Sequence, residues 1–251
     1  MILDNSILPQ LFNHRSIRQF TTESLTADEV ATLVKAAQHA PTSTFSQQYS
    51  LLSITDPTLK QAIGDITGHH WLEGAGHYFI VIADQYRNLQ LAQQANVDPA
   101  ILHSTDKFLA SVFDAAIATE NIVIAGESMG LGSTIMGSIL NDAGRLIELL
   151  HLPKLTFPLL GIAIGHPEHT PDLKPRLPEP LVHFTNQYQL PENFNNQLID
   201  YDQQLAAYYQ NRDSHRRTET FSHHITAELS RDPKVRAELA TLIGQQGFKL
   251  A

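Results

Sequence analysis

The 251-residue sequence contains no cysteine. Disulfides, thiolate metal sites and cysteine nucleophiles are excluded together. Positive charge is also scarce: 17 lysines and arginines face 26 aspartates and glutamates, a formal net charge of -9. A field of that sign repels polyanions, so neither nucleic acid nor an anionic membrane is an expected partner, and a small anion needs a local basic pocket. No stretch approaches 18 uninterrupted apolar residues, and residues 1–10 hold neither a basic leader nor a long apolar run, which predicts a cytoplasmic chain. No Gly-x-Gly-x-x-Gly follows a strand pattern and there is no Walker loop, so neither a Rossmann dinucleotide fold nor an NTPase is supported. No internal repeat and no low-complexity tract is found.

What is present is an ordinary globular balance, 42% apolar and 17% charged, enough for one sizeable core with an appendage. Thr26-Ala-Asp-Glu29 is a capping-box pattern ahead of Val30, Leu33, Val34 and Ala37 at helical spacing, and Pro41 stops that helix. Residues 49–55 have strand character, after which Asp56-Pro57 supplies an N-cap with proline at N1 for another helix. Residues 78–83 form a continuous apolar run, the mark of a central strand covered on both faces. From 106 to 129, Phe108, Val112, Phe113, Ile117, Ile122 and Ile124 are spread around the circumference, which predicts a largely buried helix stopped by Gly130 and Gly132.

Asn141 is the expected cap of a helix carrying Leu146, Ile147, Leu149 and Leu150, and residues 159–164 read as a second buried strand. Five prolines between His166 and Pro180 point to a stiff, ordered loop. Helices are expected over 198–209 and 233–243. Between them lies Arg212-Asp-Ser-His-Arg216-Arg217, the densest basic cluster in an acidic chain.

Three donor-rich stretches are candidates for ligand binding. His14-Arg15-Ser16-Ile17-Arg18 sets two guanidinium groups, a hydroxyl and an imidazole within five residues, suited to a phosphate and a polar ring edge. Taken alone it also reads as a solvated basic turn. Thr42-Ser43-Thr44, followed by Phe45-Ser46-Gln47, offers hydroxyls and an amide to a heteroaromatic edge, or satisfies its own backbone as a surface loop. Asp172-Leu-Lys174-Pro-Arg176 fixes two cations around a proline, as a rigid anion site or a solubilising loop. His166-Pro-Glu-His169, His69-His70 and His223-His224 are not expected to hold metal, because the first sits in a proline loop and adjacent histidines point apart.

In their order and spacing these stretches, with Glu127-Ser-Met-Gly-Leu-Gly132, Gly161-Ile-Ala-Ile-Gly165 and Tyr208-Tyr209, resemble the NADPH-dependent, FMN-containing nitroreductase and flavin reductase family of the oxygen-insensitive major type. The resemblance spans almost the whole chain. It implies an α+β nitroreductase-like fold, a mixed, mainly antiparallel central sheet wrapped by helices. The chain is expected as a single domain, 1–251, with a core over about 1–190 and a helical C-terminal extension and NADPH loop over about 191–251.

By the same resemblance, His14, Arg15 and Ser16 lie near the FMN phosphate, with Lys174 and Arg176 completing its anion pocket. Arg18 faces the flavin ring, where a cation stabilises the negative charge that develops as hydride arrives; it is the catalytic residue. Thr42, Ser43, Thr44 and Gln47 match the ring-contacting loop, and Ile135, Met136, Gly137 and Ser138 the segment flanking the flavin, with close backbone approach accounting for Gly137. The sequence departs from the pattern at Ser138, where a second glycine is usual, and at His70, where glutamine is usual. Arg212, Arg216 and Arg217 fall where the family places a basic loop for the NADPH 2′-phosphate, one that departs slightly from the family spacing.

The implied activity is a ping-pong cycle in which NADPH reduces FMN, NADP leaves, and a nitroaromatic, quinone or free flavin takes the electrons. No acid–base pair is required, in keeping with the absence of a convincing one. The implied assembly is a homodimer with each flavin site formed between subunits and with residues 181–188 crossing onto the partner. Two other readings stand beside this one. They are a flavin-binding redox sensor without useful turnover, and a related flavoprotein with deiodinase-like or flavin-fragmenting chemistry.

Overall fold

The computed structural model describes residues 5–212, 216–230, 232, 234 and 236–250. The described chain falls into two compact units, Met1–Thr170 with Lys234–Ala251, and Pro171–Pro233. In chain order the first unit holds α1 (Leu8–Phe12), α2 (Ala27–Gln38), β1 (Tyr49–Ser53), α3 (Pro57–Thr67), β2 (His77–Asp84), α4 (Tyr86–Gln94), α5 (Thr105–Ser128), β3 (Gly132–Met136), α6 (Ala143–Leu149) and β4 (Thr156–Gly165). The second unit holds α7 (Phe194–Asn211) and α8 (Phe221–Glu228), and α9 (Leu239–Gln245) returns to the first.

The sheet runs β1-β2-β4-β3 and every pair is antiparallel. Opposite pairs include Tyr49 with Ala83, Ile80 with Gly161 and Ile135 with Ile162. The uninterrupted apolar run of β2 has a direct cause, since alternate side chains enter two different cores. Tyr78, Ile80 and Ile82 pack with Ile63 and Ile66 of α3 and Leu146 of α6. Phe79 and Val81 pack on the opposite face with Leu33 and Ala37 of α2 and Ala115, Ala118 and Ile122 of α5.

Local signals set most of the helix ends. The Thr26 hydroxyl accepts from the Glu29 N–H while Glu29 reaches back to the Thr26 N–H, a complete capping box. Asp56 caps α3 through the Leu59 N–H, and Gly68 ends it in the left-handed region at φ 70. The cap of α6 is Asp142, whose Oδ1 accepts from the Arg145 N–H. Asn141, the expected cap, instead accepts from the Arg236 guanidinium. Gly132–Met136 form β3, for which no strand was expected, because pairing with β4 makes up for their short length. The expected helix over 233–243 starts later, at Leu239; Pro233 and Val235 lie outside the described residues. The chain end is pinned to the first unit by Phe248, which is buried against Phe108 at 4.9 Å between ring centroids.

His77 makes one edge of this core sensitive to pH. Burial, followed by the nearby Lys60 charge, pushes its imidazole down from 6.5 to about 4. Its Nε2 meets the Ser53 hydroxyl at 2.9 Å. A depressed histidine keeps its stabilising neutral form above the unfolded value and loses stability as pH falls through the window from about 6.5 to 4. The loss across that window is expected to reach about 3 kcal/mol. Urea midpoints compared at pH 7 and pH 4.5 should fall less in His77→Gln than in the parent; equal falls would remove His77 from the effect.

Candidate flavin site

Residues 16–21 run beside the sheet as an extended arm. Ser16 bridges Ser133, the Ile17 N–H donates to the Ser133 carbonyl at 2.8 Å, and the Thr134 hydroxyl bonds the Ile17 carbonyl. Farther along, the Thr21 N–H donates to the His166 carbonyl at 2.9 Å. Gly132 permits this contact, for a Cβ there would stand 2.3 Å from Ile17 Cγ1. Sequence alone read Gly132 as a helix stop; its packing against the arm is the stronger reason for glycine.

The arm carries an unsatisfied donor set. Arg15 Nη1 donates to the Asn13 carbonyl at 2.6 Å, but its Nε is buried with no hydrogen-bond partner among the described residues. Arg15, Ile17, Glu127 and Gly132 line a cavity of about 230 Å³. Arg18 is exposed, and no described residue pairs with its guanidinium. The Ser16 side chain is exposed as well. His14 is held through Nδ1 by Glu127 Oε1 at 2.6 Å, so a residue of the family-like Glu127–Gly132 stretch orients a residue of the arm.

The hydroxyl-rich loop at 42–47 is wound unusually tightly. Thr44, Phe45 and Gln47 all have positive φ, at 52, 56 and 50. Non-glycine residues adopt this region at a cost of about 1 kcal/mol or more each and persist there only when the surroundings hold them. Asp114, on α5 and 1% exposed, does so by accepting from the Ser43 N–H at 2.7 Å and the Gln48 N–H at 2.9 Å. Gln48 is tied in turn to Gln85, which donates to Ser111 and to the Lys107 carbonyl. Arg87 secures the far side through the Gln47 and Tyr49 carbonyls. The loop therefore presents Thr42, Ser43, Thr44 and Gln47 on a fixed backbone, with Phe45 83% exposed at its tip.

At the end of β3, Ile135 is exposed and Met136 buried. A Cβ on Gly137 would meet nothing within 4 Å, so open space lies beside this backbone. Ser138 follows in the same 3-10 turn. His70 is placed differently from these residues. It lies on the surface between Glu73 Oε1 at 2.8 Å and Asp65 Oδ1 at 3.6 Å.

Lys174, Arg176 and the arginine cluster belong to the second unit. Arg176 Nη1 donates to the Lys174 carbonyl at 2.6 Å. Lys174 Nζ stands 5.2 Å from the centroid of the Tyr209 ring, and the Arg217 guanidinium 4.2 Å from the same ring. Arg212 lies 5.6 Å from Tyr208 and 5.7 Å from Tyr209. Arg216 instead donates Nε to the Arg212 carbonyl, at the end of α7. Sequence reasoning missed Asp114 and the part Tyr209 plays in this cluster. The signal for Asp114 was an acid set among Val112, Phe113, Ala115, Ala116 and Ile117 in the long helix; for Tyr209 there was only its neighbourhood to basic residues.

A sequence profile of the nitroreductase family matches residues 11–166, and one for the C-terminal domain of the same family matches 174–251. The chain belongs to the nitroreductase family. It is 38% identical over 247 residues to an FMN reductase (NADPH) of Bacillus subtilis, covering 97% of this chain and 98% of that protein. It is also 36% identical to an NADPH-dependent oxidoreductase of Staphylococcus aureus, over 94% of each chain. Among solved nitroreductase structures, one from B. subtilis superimposes with a TM-score of 0.91, covering 97% of this chain and 99% of that one. An NADPH:FMN oxidoreductase of Vibrio harveyi, complexed with NAD+, superimposes with a TM-score of 0.86 at 29% identity, covering 98% and 100%. The nitroreductase fold, expected as a mainly antiparallel α+β sheet wrapped by helices, is the one observed.

The donor set of this nitroreductase fits a flavin mononucleotide. A buried guanidinium nitrogen without a partner suits a phosphate oxygen, a free guanidinium suits an electron-rich ring edge, and the open side of Gly137 admits a flat group.

Proposed function

We propose that this nitroreductase is an NADPH-dependent FMN oxidoreductase of the cytoplasm that reduces small electron-poor acceptors such as nitroaromatics, quinones or free flavin. The observation that carries the reading is the arm and the residue before it, whose Arg18 guanidinium and Arg15 Nε have no partner among the described residues, on a backbone pinned to β3. The names and similarity of the bacterial relatives support the cofactor pair.

When bound, FMN supplies two-electron acceptance and donation. The chain supplies position and charge. Arg15 and Ser16 hold the phosphate, with Glu127 fixing the His14 ring beside them. Arg18 offers its charge to the edge of the ring that becomes electron-rich. The loop held by Asp114 offers hydroxyl and amide groups at fixed positions, so little reorganisation is needed when the ring changes charge. The test is anaerobic. Yellow protein should be bleached by NADPH and regain its colour when a quinone is added. Yellow protein that NADPH does not bleach would sink the oxidoreductase reading and favour a redox sensor.

The partner surface we propose is a second copy of the chain. The helix expected to be largely buried, α5, has one face in the core and another in solvent, where Leu109, Phe113 and Ile117 are 44%, 57% and 40% exposed. Their spacing of four residues makes a continuous apolar stripe. Leu11 and Phe12 of α1 are exposed as well, and α1 is joined to α5 where Gln10 bonds the Ile124 carbonyl. An apolar stripe on the central helix of an otherwise acidic chain suits a self-complementary two-fold contact. Phe113→Glu is expected to elute as a monomer in size-exclusion chromatography and to lose most of its flavin. A yellow monomer would separate flavin binding from assembly.

A further inference from the structure

We infer that Tyr209 is the positioning residue for recognition of the phosphate that distinguishes NADPH from NADH. Its ring gathers Arg212 and Arg217 onto one face of the second unit. The inference rests on the reading of these two arginines as the cations for that phosphate.

The geometry within the unit is specific. Tyr209 is 5% exposed at the end of α7, so its ring is a fixed surface rather than a mobile one. The Arg217 guanidinium lies 4.2 Å from the ring centroid, within range for a cation over an aromatic face, and Arg212 lies 5.7 Å away. The loop bearing Arg217 is closed onto the same residue by its backbone, since the Arg217 N–H donates to the Tyr209 carbonyl at 3.3 Å. On its other side, Arg217 Nε meets Glu219 Oε2 at 2.5 Å, and Glu219 is itself held by His224 at 3.0 Å. The guanidinium is therefore gripped between a ring and a carboxylate.

Lys174 adds a third cation, 5.2 Å from the ring. Burial pushes the Tyr209 phenol up, but a hydrogen bond and charge from Lys174, and then from Arg217, hold it below its ordinary value. Among the described residues, three cations on this ring against the one carboxylate bonded to Arg217 leave the patch positive on a chain whose net charge is -9. That excess is what a dianionic monophosphate ester requires, and NADH lacks this group. Arg216 donates its Nε to the Arg212 carbonyl.

Two variants separate the ring face from the hydroxyl. In holoenzyme, Tyr209→Phe keeps the face and removes only the hydroxyl's links to Lys174 and Arg217, so the ratio of KM for NADPH to KM for NADH should move less than about threefold. Tyr209→Leu removes the face, and the ratio should rise about tenfold. A ratio unchanged in Tyr209→Leu, or both KM values raised by one factor, would overturn the positioning role. The double variant Arg212→Ala/Arg217→Ala tests the underlying reading separately. If the ratio does not rise there, the arginines do not read the phosphate; if it rises there but not in Tyr209→Leu, only the role of Tyr209 fails.

Should Tyr209→Leu not fold, the wild-type holoenzyme labelled with ¹³C-tyrosine still decides the matter. The Tyr209 ring signal, assigned by its absence in Tyr209→Phe, should shift on titration with adenosine 2′,5′-bisphosphate and not with adenosine 5′-monophosphate. No shift with the bisphosphate, or equal shifts with both, would overturn the inference.

Discussion

Replacing Arg18 with alanine is expected to slow anaerobic reduction of the flavin by NADPH about a hundredfold, the usual loss when one preorganised donor facing developing charge is removed. Flavin content should fall much less, because the phosphate is assigned to Arg15 and Ser16 rather than to Arg18. The structure makes this an unusually clean deletion. Arg18 is exposed and bonded to no described residue, so its loss leaves no buried group without a partner, and the thermal midpoint should stay within about 2 °C. Arg18→Lys keeps the charge but not the planar fork, and an intermediate rate is expected. Stopped-flow absorbance on flavin-loaded protein measures the rate, and the flavin-to-protein ratio measures retention. A loss of flavin in proportion to the loss of rate would make Arg18 a binding residue and leave the redox step without its proposed cation.

The parts of this fold that were legible in the sequence are those fixed by neighbours in the chain. The capping box at Thr26, the aspartate and proline opening α3, and the apolar run of β2 each follow from local chemistry and were found where expected. The short strand β3 was not legible, since five residues gain their structure from pairing with β4 and from the arm laid beside them. The long helix was read correctly as a helix; it was expected to be largely buried, and its face bearing Leu109, Phe113 and Ile117 is exposed. Apolar residues spread round a helix do not tell which of its faces the same chain covers.

The site divides in the same way. Arg15, Arg18 and the hydroxyl loop were visible as unusual donor-rich stretches, but what sets them in place was not. The partner of the loop is 71 residues away from Ser43, and the partner of His14 is 113 residues away. No spacing rule connects such positions. The grouping of Lys174, Arg212 and Arg217 on one ring was equally invisible, because it depends on the end of α7 folding back toward the proline-rich segment within the second unit.

Asp114→Ala is expected to be the most destabilising of the substitutions considered, by about 3 kcal/mol, since two backbone N–H groups and the Gln48 amide lose their shared acceptor at a buried site. That corresponds to a fall in thermal midpoint of roughly 10 °C for a chain of this size. The consequence for function is larger than the stability loss alone implies. Thr44, Phe45 and Gln47 hold left-handed conformations that side chains disfavour, and the bonds to Ser43 and Gln48 bracket all three. With the bracket gone the loop relaxes, and its hydroxyls no longer stand where a ring edge can use them. Asp114→Asn tests whether shape or acceptor number matters, for an amide accepts through one atom only and turns a donor toward the other N–H. It should recover less than half of the lost stability. Hydrogen exchange gives the decisive reading: the Ser43 and Gln48 amides should become the least protected of the loop in both variants. Protection at those two amides equal to that of the parent would mean that Asp114 does not hold the loop, and the strain would need another cause.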